Sequence, residues 1–228
     1  MKKYNFNNET LENKKKRMAN IISILEKEYP NAHTVLKYNT PFELLVATVL
    51  SAQCTDERVN KVTEKLFKKY ITIDDYLKVP QEELERDIYS TGFYKSKASK
   101  IRESARILLE QYHGEMPNTI EELTKLPGVG RKTANVLLAN LFNTPGIVVD
   151  THVIRLSNRL GFVDTDNPEK IEYELNEIIP KDKWIGFTYC IIEHGRKICT
   201  ARNPKCDKCS LSQYCKYYAE LTEKNKNL

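Results

Sequence analysis

The sequence contains no apolar run long enough to cross a membrane, and its N-terminal residues lack the apolar core of a signal peptide. We therefore expect a cytoplasmic protein. Only 8 of the 228 residues are glycine, no turn dipeptide separates alternating strand-like runs, and no segment repeats. Lys, Glu and Leu are abundant instead, and these residues favour helices. The sequence thus predicts an all-α fold with room for one or two domains.

The charge balance is modest, because 36 basic against 31 acidic residues give a net charge of +5. That balance is compatible with a nucleic-acid partner but does not establish one. The densest basic run, Lys14–Arg17, is interpreted as a solvated face that precedes an amphipathic helix.

Capping signals predict where several helices begin. Thr40 is followed by Pro41 and by Glu43 three positions on, a strong start signal for a helix whose apolar residues Leu44–Leu50 indicate burial. Asn118 can likewise cap a helix with a glutamate as its third residue.

The stretch Leu126–Thr133, with the sequence LPGVGRKT, predicts a tight turn between two helices. Gly128 and Gly130 allow the turn and leave no Cβ in the path of a ligand. The amides of both glycines and of Arg131 would then lie at the N-terminus of a helix spanning Arg131–Phe142. Unpaired N–H groups there favour an anion such as a nucleic-acid phosphate. An ordinary helix–helix turn is the alternative.

Lys132 lies in the first turn of that helix beside Arg131, where the positive end of the helix and the neighbouring cation both disfavour an ammonium. A lysine so placed can act as an amine nucleophile that forms a Schiff base. A solvated lysine that contacts phosphate is the alternative. Asp150, after a short apolar segment, can either assist the lysine or cap the next helix, and the two roles are compatible.

Four of the six cysteines lie near the C-terminus with the spacing Cys-x6-Cys-x2-Cys-x5-Cys: Cys199, Cys206, Cys209 and Cys215. Thiolates at such spacing bind metal. A structural zinc, a 4Fe-4S cluster and disulfides are the three alternatives, and disulfides are disfavoured inside cells. Zinc sites usually take two Cys-x2-Cys pairs, whereas this set has one close pair and two unequal loops.

The glycine turn with Lys132, followed by Val149-Asp150-Thr151-His152, resembles the helix-hairpin-helix and catalytic aspartate motifs of the endonuclease III family of DNA base-excision glycosylases. The resemblance extends over Arg17–Lys216. It implies a two-domain fold, with a six-helix domain at 34–144 and an iron-sulfur cluster domain made from 1–33 and 145–228. The cysteine spacing matches the family's iron-sulfur motif and so implies a 4Fe-4S cofactor.

The same resemblance implies an activity. We expect a bifunctional DNA N-glycosylase and abasic-site lyase that acts, as a monomer, on double-stranded DNA with oxidised pyrimidines or abasic sites. Lys132 would attack C1′ of the sugar, and Asp150 would help to deprotonate or orient it.

Several DNA contacts are also implied by the resemblance. Gln53 would fill the gap left by the extruded nucleotide, although a plain surface glutamine is the usual interpretation of such a turn residue. Phe93 stands where similar glycosylases place a leucine wedge, which puts the opposite-base preference in doubt, and burial in the core is its alternative. Arg202 and Lys205 would contact the DNA backbone from the loop between the first two cysteines.

Two rival functions remain. Adenine glycosylases of the same superfamily resemble this chain, but they carry a catalytic glutamate near the position of Thr48 and generally lack the lysine. A non-enzymatic DNA-binding protein would use the hairpin for phosphate and the metal for stability. Lys132 together with Asp150 discriminates against the second rival, because a pure binder needs neither residue.

Overall fold

A computed structural model describes residue 6 and residues 9–224 of the chain. All regular secondary structure within these residues is helical, so the all-α prediction is confirmed. None of the described helices is long and apolar enough to span a bilayer. The chain divides into two compact units. We call Thr34–Thr144 the hairpin unit, and the described residues before and after it the cysteine unit.

In chain order the helices are α1 (Leu11–Glu28), α2 (Pro41–Leu50), α3 (Asp56–Lys69), α4 (Ile73–Lys78), α5 (Gln81–Ile88), α6 (Tyr94–Tyr112), α7 (Ile120–Leu123), α8 (Arg131–Phe142), α9 (Thr151–Leu160), α10 (Pro168–Ile178), α11 (Trp184–Lys197) and α12 (Lys216–Lys224). The hairpin unit contains seven described helices, α2 to α8. The family resemblance implied six helices for this domain. The difference is small, because α7 is a single turn of four residues.

The core of the hairpin unit is built around α2. Every residue of α2 after Pro41 is buried, as expected of a helix that is apolar all round. Its start is the predicted one: the Thr40 side chain accepts a hydrogen bond from the Glu43 amide at 3.1 Å, and Pro41 occupies the first turn. Helices α3, α6 and α8 contact it, and their apolar faces complete the core.

The start of α7 differs from the prediction by one residue. Thr119, rather than Asn118, has the extended backbone of an N-cap, and its hydroxyl accepts a hydrogen bond from the Glu122 amide at 3.3 Å. Because glutamates stand at both 121 and 122, the capping pattern in the sequence fits either residue.

In the cysteine unit, α11 packs against both α1 and α9, and the apolar faces of these helices form a second core. The prediction that Lys14–Arg17 is a solvated face is wrong for its last residue. Lys16 is exposed, but Arg17 is completely buried. The reason is the helical period, because Arg17 lies four residues before Ile21 on the face of α1 that points into the core.

Arg17 is buried with partners for its charge and its donors. Its guanidinium forms an ion pair with Glu9 at 2.7 Å and lies 3.9 Å from the centre of the Phe162 ring. It also donates hydrogen bonds to the carbonyls of Leu160 at 2.7 Å and Tyr214 at 3.1 Å. One side chain therefore joins α1 to the end of α9 and to the segment that leads into the last cysteine.

We expect Arg17→Met to lower the free energy of unfolding by about 3–5 kcal/mol, because it leaves the buried Glu9 carboxylate without its partner. Lys16→Met is the matched control: it removes the neighbouring exposed ion pair with Glu12 and should cost less than about 1 kcal/mol. Urea unfolding followed by circular dichroism measures both. Equal losses in the two variants would show that the buried pair is not a stabilising contact.

Candidate functional site

The turn between α7 and α8 is fixed by its apolar residues. Leu126 and Val129 are buried, and the Val129 amide donates to the Leu126 carbonyl at 3.0 Å. The Ser104 hydroxyl on α6 donates to the Pro127 carbonyl, also at 3.0 Å. The predicted hairpin is therefore held against the core of its unit and against α6, which fixes the direction of the backbone between its two glycines.

The two glycines of the hairpin differ in what their backbone conformations demand. Gly128 has φ +87°, a left-handed conformation that other residues enter only with strain. Gly130 has φ −89° and ψ 178°, which any residue can adopt, and an added Cβ would meet no atom within 4 Å. Both glycines are exposed, and their amides donate to nothing among the described residues. The fold itself therefore has no need of a glycine at 130, whereas a ligand that approaches the backbone closely does.

Lys132 lies where the sequence placed it. Gly130 is the N-cap of α8, so Lys132 is the second residue of the helix, and both Arg131 and Lys132 are exposed. No acidic residue lies in the first turn of α8. The hairpin amides, the positive end of the helix and two cations thus occur together in one short segment of the hairpin unit.

Asp150 is the N-cap of α9 in the cysteine unit. Its Oδ1 accepts hydrogen bonds from the amides of His152 at 2.8 Å and Val153 at 2.9 Å. No described donor is hydrogen-bonded to Oδ2, and the side chain is half-buried. One carboxylate oxygen therefore serves the helix, as the sequence predicted, and the second is available for other chemistry.

Gln53 and Phe93 share an unusual backbone. Four described residues other than glycine have positive φ: Gln53, Phe93, His113 and Asn143. His113 and Asn143 are left-handed C-cap residues, an ordinary way to end a helix. Gln53, at φ 54°, lies in the turn after α2, and Phe93, at φ 48°, is the N-cap of α6. Neither has a C-cap role to account for the strain.

Both side chains are at the surface of the hairpin unit. Phe93 is 66% exposed, so the alternative that it belongs to the core is wrong. Gln53 is exposed as well, in agreement with its predicted place in a turn between helices. A large aromatic side chain that is both exposed and held in a strained backbone is typical of a residue with a partner outside the molecule.

The four C-terminal cysteines line one small cavity, which is partly open to solvent. All six cysteines of the chain are free thiols, so none of the four is paired in a disulfide. Within the described residues, no three Cys, His, Asp or Glu side chains lie close enough to hold a single metal ion. The four thiols therefore share one cavity, and none of them is consumed in a disulfide.

Burial raises the pKa of Cys206, Cys209 and Cys215 and so makes their thiolate form unfavourable without a cation. It raises the pKa of Cys209 to about 12 and that of Cys215 to about 11. A positively charged inorganic centre would reverse this preference, because coordinated thiols are deprotonated. The donor set, its spacing and its burial thus fit a thiolate-coordinated centre such as an iron-sulfur group.

Two arginines that sequence reasoning did not single out organise the cysteine site. Arg159 donates to the Cys199 sulfur at 3.2 Å and to the carbonyls of Thr200 and Ala201, both at 2.8 Å. Arg155 donates to the Cys199 carbonyl at 3.1 Å. Both are on α9, four residues apart, so they share one face of the helix. Their spacing of four residues on one helix is the signal that could have identified them.

The loop between the first two cysteines is held by these contacts and by two of its own. The Thr200 hydroxyl donates to the Asn203 carbonyl at 2.7 Å, and the Lys205 amide donates to the Ile198 carbonyl at 3.0 Å. Arg202 and Lys205 are exposed on this loop. The predicted pair of cations therefore stands at the surface of an ordered segment.

Comparison with known protein families agrees with these features. The profile of the HhH-GPD superfamily of base excision DNA repair proteins matches residues 46–181, a segment that includes the hairpin, Lys132 and Asp150. The profile of the iron-sulfur binding domain of endonuclease III matches residues 199–215, from the first to the last of the four cysteines.

Individual relatives are similar over nearly the whole chain. An endonuclease III from Synechocystis is 49% identical over 203 residues, which cover 89% of this chain and 93% of the relative. A solved structure of a non-covalent endonuclease III-DNA complex is 46% identical, with a TM-score of 0.88 over 92% of this chain and 98% of the other. A trapped endonuclease III-DNA covalent intermediate gives a TM-score of 0.87 at 46% identity, over 91% and 98% of the two chains.

The fold and the site define a base-excision DNA repair enzyme with an iron-sulfur binding domain. Within that class, the chain belongs to the endonuclease III family. Its activity is that of a bifunctional enzyme, a DNA N-glycosylase that is also an abasic-site lyase.

The two hairpin glycines should respond differently to the same substitution. Gly128→Ser forces a left-handed serine and should cost about 1–2 kcal/mol of unfolding free energy. Gly130→Ser should leave stability unchanged within about 0.5 kcal/mol, because its backbone suits any residue, nothing meets its Cβ, and serine is a good N-cap. Urea unfolding of the two variants tests this, and a loss at Gly130 as large as that at Gly128 would contradict it.

Proposed function

We propose that this enzyme removes oxidised pyrimidines from double-stranded DNA, with Lys132 as the nucleophile and Asp150 as its partner. The observation that carries the proposal is the position of Lys132, the second residue of α8, directly after a hairpin with exposed amides that have no partner in the described chain. The proposed enzyme acts as a monomer in the cytoplasm, where it is associated with DNA.

The hairpin anchors the DNA in this proposal. The amides of Gly128 and Gly130 donate to a phosphate, and the positive end of α8 with Arg131 adds favourable electrostatics. Such contacts fix the position of the duplex without reading its sequence. A repair enzyme needs that property, because damage occurs in any sequence. Arg202 and Lys205 would add backbone contacts from the cysteine loop.

Gln53 and Phe93 act on the duplex itself. The damaged nucleotide leaves the stack, which costs less for a damaged base than for a well-stacked one. Gln53 occupies the gap, and Phe93 inserts beside the opposite base, where an apolar wedge can separate or stack on bases. Their exposure and their strained backbones support this assignment.

Lys132 carries out the covalent chemistry. Its neutral amine attacks C1′ of the sugar, and the glycosidic bond breaks with its electron pair leaving on the base, which takes up a proton. Opening of the sugar ring gives a Schiff base between Lys132 and C1′. Loss of a proton from C2′ then expels the 3′ phosphate and breaks the strand. The trapped covalent DNA intermediate of a 46% identical relative supports a covalent step.

Asp150 assists that attack. Its Oδ1 is fixed by the two amides of α9, so the orientation of the carboxylate is set before any ligand binds. Its Oδ2 can then accept a proton from the lysine or stabilise positive charge that develops on the sugar.

The four cysteines would hold a 4Fe-4S cluster. The cluster would cross-link Cys199 and Cys215 to the close pair of Cys206 and Cys209. The match of residues 199–215 to the iron-sulfur binding domain of endonuclease III supports a cluster over zinc. With four protein ligands and no open coordination position, its expected role is structural or redox-sensing. The chemistry at the sugar belongs to Lys132 and Asp150.

The adenine glycosylase alternative is not favoured by the residue at position 48. Thr48 is buried, and its hydroxyl donates to the Leu44 carbonyl of its own helix at 2.7 Å. No carboxylate is available at the position where those enzymes carry their catalytic glutamate.

Borohydride trapping tests the nucleophile. We expect a covalent protein-DNA band when the enzyme, a duplex with one thymine glycol and the reductant are combined, and no band with Lys132→Gln, which has no amine. The neighbouring Arg131→Gln is the matched control and should still be trapped. Base loss without a trapped band would mean that water is the nucleophile, and a band with Lys132→Gln would exclude this lysine.

The two roles of Asp150 can be separated by substitution. Asp150→Asn keeps an N-cap of equal quality, so the unfolding free energy should stay within about 0.5 kcal/mol, whereas Asp150→Ala should lose about 1 kcal/mol. Base excision should fall in both variants by roughly a hundredfold or more, because neither has a carboxylate. Single-turnover excision beside thermal unfolding measures this. An Asp150→Asn enzyme with normal excision would limit Asp150 to capping.

A further inference from the structure

Lys97, near the start of α6, has a buried side chain that is only 4% exposed. Its ammonium donates hydrogen bonds to the backbone carbonyls of Leu50 and Thr91, each at 2.8 Å. No carboxylate within the described part of the chain pairs with it. Burial lowers the pKa of Lys97, as expected when an ammonium loses water. A buried cation without an anionic partner is costly, so its presence needs a reason beyond the packing of the core.

The two carbonyls that Lys97 contacts are both helix ends. Leu50 is the last residue of α2, and Thr91 is the last residue of the short 3-10 helix Tyr89–Thr91. Carbonyls at a helix C-terminus lack donors within the helix and carry its negative dipole end, so a cation is favoured there. One ammonium therefore caps two helices at once.

Each capped helix end is followed within a few residues by a side chain that we propose inserts into the DNA duplex. Gln53 follows Leu50 by three positions, and Phe93 follows Thr91 by two. Both are exposed and held in the left-handed conformation. Lys97 is also one helical turn from Phe93, since its amide donates to the Phe93 carbonyl at 3.0 Å. Both proposed DNA-inserting loops thus begin from carbonyls held by the same ammonium.

We propose that Lys97 is a positioning residue that holds the Gln53 and Phe93 loops in a fixed relation, so that both side chains enter the duplex together as the nucleotide leaves it. The inference rests on the proposed function of those two residues. Its physical basis is preorganisation: loops already held at the right separation need not be ordered during nucleotide extrusion, and small misplacements at a distance are costly to the reaction.

The test compares two variants on the same helix. Lys97→Met removes the ammonium but keeps a long unbranched side chain. Arg102→Met is the matched control, because Arg102 also donates to helix-end carbonyls, those of Tyr76, Leu77 and Val79, but touches neither loop. Thermal unfolding of each holoenzyme, followed by circular dichroism, establishes that it is folded at the assay temperature. If Lys97→Met does not fold, Lys97→Gln takes its place.

Two substrates separate positioning from chemistry. On a duplex with one thymine glycol, single-turnover excision by Lys97→Met should fall by roughly tenfold or more, because the loops must enter the stacked bases. On a single-stranded oligonucleotide with a preformed abasic site there is no stack to enter, so borohydride trapping should stay within about twofold of the wild type. Arg102→Met should match the wild type on both substrates. Equal losses by Lys97→Met on both substrates, or none on the duplex, would overturn the inference.

A double-mutant cycle excludes a merely structural role. If Lys97 acts through the loops, adding Lys97→Met to the Gln53→Ala/Phe93→Ala enzyme should lower duplex excision by no more than about twofold further. Losses that multiply fully would show that Lys97 acts independently of these loops and would overturn the inference. Failure of the proposed function of Gln53 and Phe93 gives a different result, because the Gln53→Ala/Phe93→Ala enzyme would then excise the lesion from the duplex as fast as the wild type.

Discussion

Each helix leaves backbone N–H groups unpaired at its start and carbonyl groups unpaired at its end, and these groups must find partners. In this protein, several of the residues with proposed functions lie at such ends. Lys132 and the hairpin amides are at the start of α8, Asp150 is at the start of α9, and Phe93 is at the start of α6. The N-termini attract anions and carboxylates, whereas the C-terminus of α2 is capped by the ammonium of Lys97.

The same constraint explains how one side chain can serve both structure and chemistry. Asp150 uses Oδ1 for the amides of α9, which fixes the carboxylate and leaves Oδ2 without a described donor. Arg159 divides its donors in a similar way, between the Cys199 sulfur and the carbonyls of the following loop. In each case the hydrogen bonds to the backbone fix the orientation of the side chain. The atoms of that side chain that do not bond the backbone are therefore oriented as well.

Local signals in the sequence were sufficient where a helix end is defined by a few neighbouring residues. The cap at Thr40 and the tight turn before α8 were predicted correctly on that basis, whereas the cap of α7 was misplaced by one residue because two adjacent glutamates fit the same pattern. Arg17 and Lys97 were missed for another reason. Each lies four residues before a buried isoleucine, so the helical periodicity predicts a buried side chain. The positive charge, in contrast, predicts an exposed one. The acceptors that make burial possible are distant in sequence and visible only in the fold. The roles of Gln53 and Phe93 came from family resemblance, and no residue pattern indicated them.

Around Lys97 three unfavourable features occur together. Gln53 and Phe93 adopt backbone conformations that each cost about 1–2 kcal/mol for a residue with a Cβ, and a buried ammonium between their loops has no anionic partner. Folding alone does not require the strain, because glycine at either position would relieve it. These features support the proposed role of the side chains at 53 and 93 in contacting DNA. Their exposure identifies the surface that meets it, and the two helix ends capped by one ammonium explain how strained, exposed loops can still be held in one conformation.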